Sequence, residues 1–232
     1  VIDKPWLLRQ LLVRGVIVPA RYRQSAKSYK EIWMQGGSPL MVNSLEVQKL
    51  LQEALPENYV VELAMRYQNP SIEKALNALI SKNVEHLIVI PLFPQYASAT
   101  TGSIHQKILE IVSKYQVIPK LTLVDHFADN ADYINAVVEV ASQYALNSYD
   151  HFIFSFHGLP KRHLTRANAY CSSSMTCCKA PCSSNTTCYT AQCHKTAYAI
   201  ANQLKLNSEN YSISFQSRLG KEPWTEPFTI DT

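Results

Sequence analysis

No cysteine precedes Cys171 in this chain, and all six then fall between Cys171 and Cys193. A secreted, disulfide-stapled protein spreads its cysteines over the fold, so this pattern argues against that class. Long apolar runs are also lacking, and none is long enough to cross a bilayer. The opening Val1-Ile2-Asp3-Lys4-Pro5-Trp6 has neither the form of a signal peptide nor an initiator Met. The expectation is that the natural N-terminus lies upstream. Charge of one sign is scarce: 22 Lys+Arg face 18 Asp+Glu, a net +4. With no basic run interleaved with aromatics, nucleic acid is not an expected partner. A few well-placed arginines still suffice for an acidic small molecule.

What is present suits a soluble globular protein, 47% hydrophobic and 17% charged over 232 residues, with one large or two small domains. Short runs rich in β-branched and aromatic residues read as strands at Tyr59–Leu63, Leu87–Ile90, Leu121–Val124, Phe152–Phe154 and Ile213–Phe215. Helical spacing separates them. Val47, Leu50, Leu51, Ala54 and Leu55 follow an Asn43/Glu46 capping pattern, and Ile72, Leu76, Leu79 and Ile80 follow Ser71. Ser103 and Gln106 precede Ile108, Ile111 and Val112. Further helices are expected through Tyr133–Tyr144 and Ala197–Leu204. Alternating strands and helices predict an α/β protein with parallel sheets, and ligands beyond the C-terminal strand ends. Two units are expected to meet near residue 125.

Several strand ends could carry chemistry. Phe154-Ser155-Phe156-His157-Gly158-Leu159-Pro160 ends a strand at His157 and turns at once. An imidazole there can accept a proton near neutral pH, hold a metal, or serve as a hydrogen-bonded structural group. The loop from Pro91 to Ser103 offers hydroxyls and backbone amides that could face an anion, although simple capping by Ser103 is the favoured reading of the loop alone. It is not a P-loop, because Gly-Lys-Ser/Thr is absent. Arg66, in Met65-Arg66-Tyr67, can pair with a carboxylate or with a structural acid. Gln216-Ser217-Arg218 precedes Pro223-Trp224, whose indole could stack on a flat ring or fill the core.

The Ser/Thr/Asn/Cys stretch 171–188 lacks periodicity and reads as an insertion shaped around something other than a hydrophobic core. Thiolates this dense point to metal, either zinc or a [2Fe–2S] cluster, with free thiols or disulfides as the alternative. Cys193 shares helical spacing with Ala197, Ile200, Ala201 and Leu204, which makes it a buried apolar residue. Four ligands are then expected from Cys171, Cys177, Cys178, Cys182 and Cys188.

In their order and spacing, these stretches, together with Gly37-Ser38-Pro39-Leu40 and Thr100-Thr101-Gly102-Ser103, resemble the ferrochelatase family along nearly the whole chain. The resemblance implies a chelatase-like fold of two related three-layer α/β domains. The N-terminal domain would span 1–125 and lack its first strand. An incomplete C-terminal domain would span 126–232 and carry the cysteine-rich insertion 171–188. It implies insertion of ferrous iron into protoporphyrin IX, a lyase reaction of haem biosynthesis. His157 would be the catalytic proton acceptor or the ligand of the substrate iron. Arg21, Arg66, Tyr67, Tyr96, Ser98, Thr100 and Trp224 would contact the porphyrin. One bacterial class in the family is similar in carrying a [2Fe–2S] cluster in an internal insertion after the His-Gly-Leu-Pro motif. The family's second catalytic carboxylate has no counterpart before Thr232, so residues 1–232 by themselves are expected to be inactive or nearly so. The resemblance also implies a cytoplasmic enzyme of a family often peripherally associated with membranes. A coproporphyrin chelatase, a chelatase for cobalt or nickel, and an inactive iron–sulfur sensor are the alternatives.

Overall fold

Parallel pairing carries the β-structure of the computed structural model, which describes residues 5–167, 171, 176–180, 184–218, 220 and 222–232. β1 (His86–Val89) pairs with β2 (Lys120–Leu123), and β3 (Phe152–His157) pairs with β4 (Tyr211–Gln216). Parallel neighbours need a crossover. Helix α5 (Ser103–Val112) lies between the first two strands in sequence. Helices α6 (Ala131–Ala141), α7 (Lys161–Ala167) and α8 (Tyr189–Gln203) follow, the last two between β3 and β4. The α/β class with parallel sheets is therefore correct. Contacts divide the chain into one unit of residues 1–85 and 110–119 and another of 86–109 and 120–232.

The first unit holds α1 (Trp6–Leu12), a π-helical turn (Val13–Ile17), α2 (Val18–Glu31), α3 (Pro39–Ala54) and α4 (Ile72–Ile80). The helices before residue 32 were not anticipated. No α2 residue is buried, so no apolar face marks its period. Helix α3 starts before the expected Asn43 cap. Ser38 Oγ accepts from Met41 N at 3.3 Å, and Pro39 supplies a helix-ready φ at the first position. Ser71 caps α4 as expected, accepting from Lys74 N at 3.2 Å.

The strand expected at Tyr59–Leu63 does not form. Its backbone groups are met by glutamine side chains of α3 instead. Gln52 Nε2 donates to Tyr59 O, Val61 N donates to Gln52 Oε1, and Gln48 Nε2 donates to Val61 O, each at 2.9 Å. Side-chain amides thus take three backbone bonds of a β-rich segment that a neighbouring strand would otherwise supply.

In the second unit α8 lies deep, with Thr190 to His194, Thr196, Ala197, Ile200 and Ala201 buried. Cys178, Cys188, Ala191, Cys193 and Phe215 form one apolar cluster, with Phe156, Cys177 and Tyr189 packed against it. Burying a side chain the size of Phe215 stabilises the fold by about 1.5–3 kcal/mol. Strand β3 alternates: Phe152, Phe154 and Phe156 turn toward the interior, while Ile153, Ser155 and His157 turn outward. This two-residue period puts an exposed imidazole at the strand's C-terminal end, one residue beyond a core phenylalanine.

Candidate active site

The turn after β3 is fastened at nearly every polar atom. Gly158 N donates to Gln216 O at 2.7 Å, extending the β3–β4 ladder by one bond. Leu159 N donates to Thr225 Oγ1 at 3.0 Å, and Thr225 N donates to Leu159 O at 2.9 Å. Lys161 N donates to Pro223 O at 2.9 Å, and Pro160 bridges Trp224. Ion pairs from α7, Lys161 to Glu226 and Arg162 to Glu222, hold the same segment in place. A side chain at 158 would be crowded. A Cβ there would meet Gln216 O at 3.0 Å, Thr225 Oγ1 at 3.2 Å and Trp224 Cε3 at 3.4 Å.

His157 projects from this clamp. Its Nδ1 lies 2.7 Å from Gly158 O. A carbonyl oxygen only accepts, so Nδ1 carries the hydrogen. The neutral ring then bears its lone pair on Nε2, the nitrogen that can take a proton or bind a metal. Its backbone carbonyl accepts from Tyr189 Oη at 2.7 Å.

The 91–103 loop is also built from the second unit. Tyr96 N donates to Gln192 Oε1 at 2.7 Å. Thr196 Oγ1 accepts from Gln95 Nε2 at 3.0 Å and donates to Ala128 O at 2.6 Å. Two α8 side chains therefore set the path of this loop. Ser98 opens a π-helical turn (Ser98–Gly102), and Thr100 Oγ1 donates to Ala97 O at 3.2 Å. The Tyr96 hydroxyl would lie 2.9 Å from a Cβ at Gly102, which explains that glycine. Ser103 is the first residue of α5 rather than its cap, and the amides expected to face an anion are engaged. Thr100 N and Gly102 N donate to Ala97 O, each at 3.1 Å, and Ser103 N donates to Thr100 O. The tight turn leaves these three amides no room to serve a ligand.

Of the two readings of Trp224, the structure shows the core-filling one. It is 4% exposed and packs beneath Gly158, so its ring supports the His157 turn from behind. In the first unit, Arg21 lines a shallow groove along α2 with Gln24, Ser28 and Tyr29. The Arg66 guanidinium lies 4.6 Å from the centroid of the exposed Tyr67 ring, a flat cationic surface.

The cysteines gather beside this site. Cys178 Sγ lies 3.9 Å from both Cys177 Sγ and Cys188 Sγ. Tetrahedral thiolates at zinc would be about 3.8 Å apart. Cys171, Cys177, Cys178, Cys188 and Cys193 are all free of disulfides. The Cys188 thiol is pulled below its ordinary range, chiefly by its hydrogen bond with Cys178. Backbone amides of Ala191 and Thr190, at the start of α8, favour the same thiolate. Cys178 is correspondingly pushed up, by the same hydrogen bond and by burial. Burial also raises Cys171, as do the nearby Cys188 and Cys177. Cys193 is fully buried in α8, as its helical spacing predicted, and burial holds it protonated. Among the described residues no three His, Cys, Asp or Glu side chains form a complete metal-holding group. Cys182 lies outside the described residues. The described thiols thus have the chemistry and pairwise spacing of metal ligands without a closed set.

Sequence reasoning missed Tyr189, Thr225, Gln192 and Thr196. All four act on the candidate loops from far along the chain, and no spacing signals such partners. The model of the ferrochelatase family matches residues 1–232. The chain is 39% identical over 229 residues to the ferrochelatase of Legionella pneumophila (strain Corby), covering 99% of this chain and 68% of that protein. It is 36% identical over 234 residues to the ferrochelatase of Escherichia coli (strain SMS-3-5 / SECEC), covering 100% of this chain and 67% of that one.

Proposed function

The chain belongs to the ferrochelatase family, and from that premise we propose that His157 is the group that takes the pyrrole protons as iron enters the ring. The activity is insertion of ferrous iron into a porphyrin on the path to haem. Fe²⁺ replaces two inner hydrogens, so two protons must leave as all four ring nitrogens bind the metal. The observation that carries the assignment is the pinned Nδ1–H, which leaves Nε2 as the ring's free base at the end of β3. The imidazole is exposed, so a proton accepted at Nε2 can pass to solvent before the next is taken. The same lone pair could instead hold the incoming iron.

Tyr96, Ser98 and Thr100 are assigned to the porphyrin from the loop ordered by Gln192. Trp224 contributes by underpinning the His157 turn near the macrocycle. Arg21, Arg66 and Tyr67 complete the porphyrin-binding set. The stacked Arg66–Tyr67 pair offers a cation for a propionate beside an aromatic face. Protoporphyrin IX is the proposed porphyrin, and the cytoplasm is the proposed location, with peripheral membrane association. Among the described residues no helix is long and apolar enough to cross a membrane. The proposed domains are 1–125 and 126–232, with the insertion 171–188 in the second. The β1–β2 and β3–β4 pairs are separate two-stranded sheets, one in each proposed domain, although both fall in the second contact unit.

Four of Cys171, Cys177, Cys178, Cys182 and Cys188 are proposed to hold a [2Fe–2S] cluster. Free thiols at 3.9 Å spacing and the depressed Cys188 support that reading. A bound cluster would cross-link the insertion, and iron insertion itself requires no electron transfer.

The test is an anaerobic assay of the full-length protein with ferrous iron and either protoporphyrin IX or coproporphyrin III, run beside its visible spectrum. Faster turnover of protoporphyrin is expected; a preference for coproporphyrin would replace that substrate. Cys188→Ser is expected to abolish visible absorption of the purified protein. A colourless wild-type protein containing zinc but no sulfide would remove the cluster reading.

A further inference from the structure

We propose that Tyr189 is a positioning residue for His157, its hydroxyl fixing the peptide plane from which the imidazole projects. The inference rests on the reading of His157 as the proton acceptor.

The 157–158 peptide is held at both ends. Its N–H donates to Gln216 O at 2.7 Å, and its carbonyl accepts from Tyr189 Oη at 2.7 Å. Two bonds on opposite edges of a planar group prevent its rotation about the neighbouring Cα atoms. The next carbonyl, Gly158 O, takes the His157 Nδ1–H. Ring orientation, tautomer and backbone plane are therefore linked, and Tyr189 is the side chain that closes the set. His157 is the last residue of β3 paired with β4, and the Tyr189 hydroxyl meets its carbonyl where the strand ends.

Tyr189 is itself firmly placed. It is the first residue of α8 and directly follows Cys188. Its ring packs on two apolar clusters. One contains Cys178, Cys188, Ala191, Cys193 and Phe215, and the other Ala97, Leu159 and Leu164. Cys171 packs against the second. The tyrosine thus stands between the cysteine-lined core, the loop that follows Tyr96 and the catalytic turn. The order of the cysteine segment reaches His157 through one hydroxyl.

The experiment compares kcat, KM for porphyrin and Tm in full-length wild-type, Tyr189→Phe, His157→Ala and the double variant. Phenylalanine keeps the ring packing and removes the hydroxyl, which donates to His157 O and also neighbours the buried Cys193 thiol. Tyr189→Phe is expected to lower kcat about tenfold or more, since small misplacements of a reacting group are costly. KM and the visible spectrum should stay at wild-type values. In the His157→Ala background, Tyr189→Phe should have no further effect. Wild-type kcat in Tyr189→Phe overturns the inference, as does a further loss of the same size in the double variant. Should Tyr189→Phe fail to fold, Tyr189→His and Tyr189→Trp, which keep a ring donor, are expected to retain more kcat than Tyr189→Leu; equal activities overturn the inference. If His157→Ala itself retains full activity, the underlying reading of the site fails instead, and the two failures remain distinct.

Discussion

Full-length protein carrying His157→Ala is expected to lose iron insertion by about 10²–10⁴-fold in kcat, the usual span for removing a positioned acid or base. The fold should barely respond. The ring is exposed, so its removal leaves no core cavity, and a surface change of this kind is worth about 0.5 kcal/mol or less. The cysteine cluster lies on the other side of β3, where Phe156 points inward and His157 outward. Visible absorption should therefore match wild type. Anaerobic initial rates with protoporphyrin IX, thermal melting and a spectrum decide the matter together. Full activity in the variant would refute the assignment of the site.

Gly158→Val is expected to damage both stability and activity. The introduced branches would collide with Gln216 O, Thr225 Oγ1 and the Trp224 ring, already 3.0–3.4 Å from a single Cβ. One of these neighbours is backbone of β4 and two are buried, so none yields cheaply. Overpacking of this kind costs about 1–3 kcal/mol. For a protein of this size each kcal/mol lowers Tm by about 2–4 °C. The strain falls on the peptide that orients His157, so kcat should drop about 100-fold as the imidazole leaves its productive position. Gly158→Ala, with one Cβ, should show a smaller form of both effects. Melting curves and kcat equal to wild type for the valine variant would mean that the turn tolerates a side chain, contrary to the distances around it.

The parallel pairing and these two predictions come from different levels of the molecule. Strands β1 to β4 were legible because short β-branched and aromatic runs between helical patterns have few other solutions. Cys193 was legible because its 3.6-residue spacing with Ala197 and Ile200 marks one buried face. Ser71 was a readable cap because its hydroxyl needs only the amide three residues on. The segment 59–63 misled because its backbone found Gln48 and Gln52, partners that strand propensity does not register. Helix α2 was silent because it buries nothing.

Sequence alone determined the identity of the chemistry. A histidine ending a strand at Gly-Leu-Pro, hydroxyls before α5 and cysteines confined to one insertion are local facts, written in residue types and short spacings. Tertiary structure alone decided how those groups are held. The Tyr189 hydroxyl on the His157 carbonyl, Thr225 on Leu159, Gln192 on Tyr96 and Trp224 beneath Gly158 join residues 32 to 96 positions apart. Such contacts depend on how α8 and the segment after β4 pack against the strand ends. A hydrogen bond between distant side chains leaves no period in the sequence, because nothing in local propensity records which partner the folded chain will bring within 3 Å.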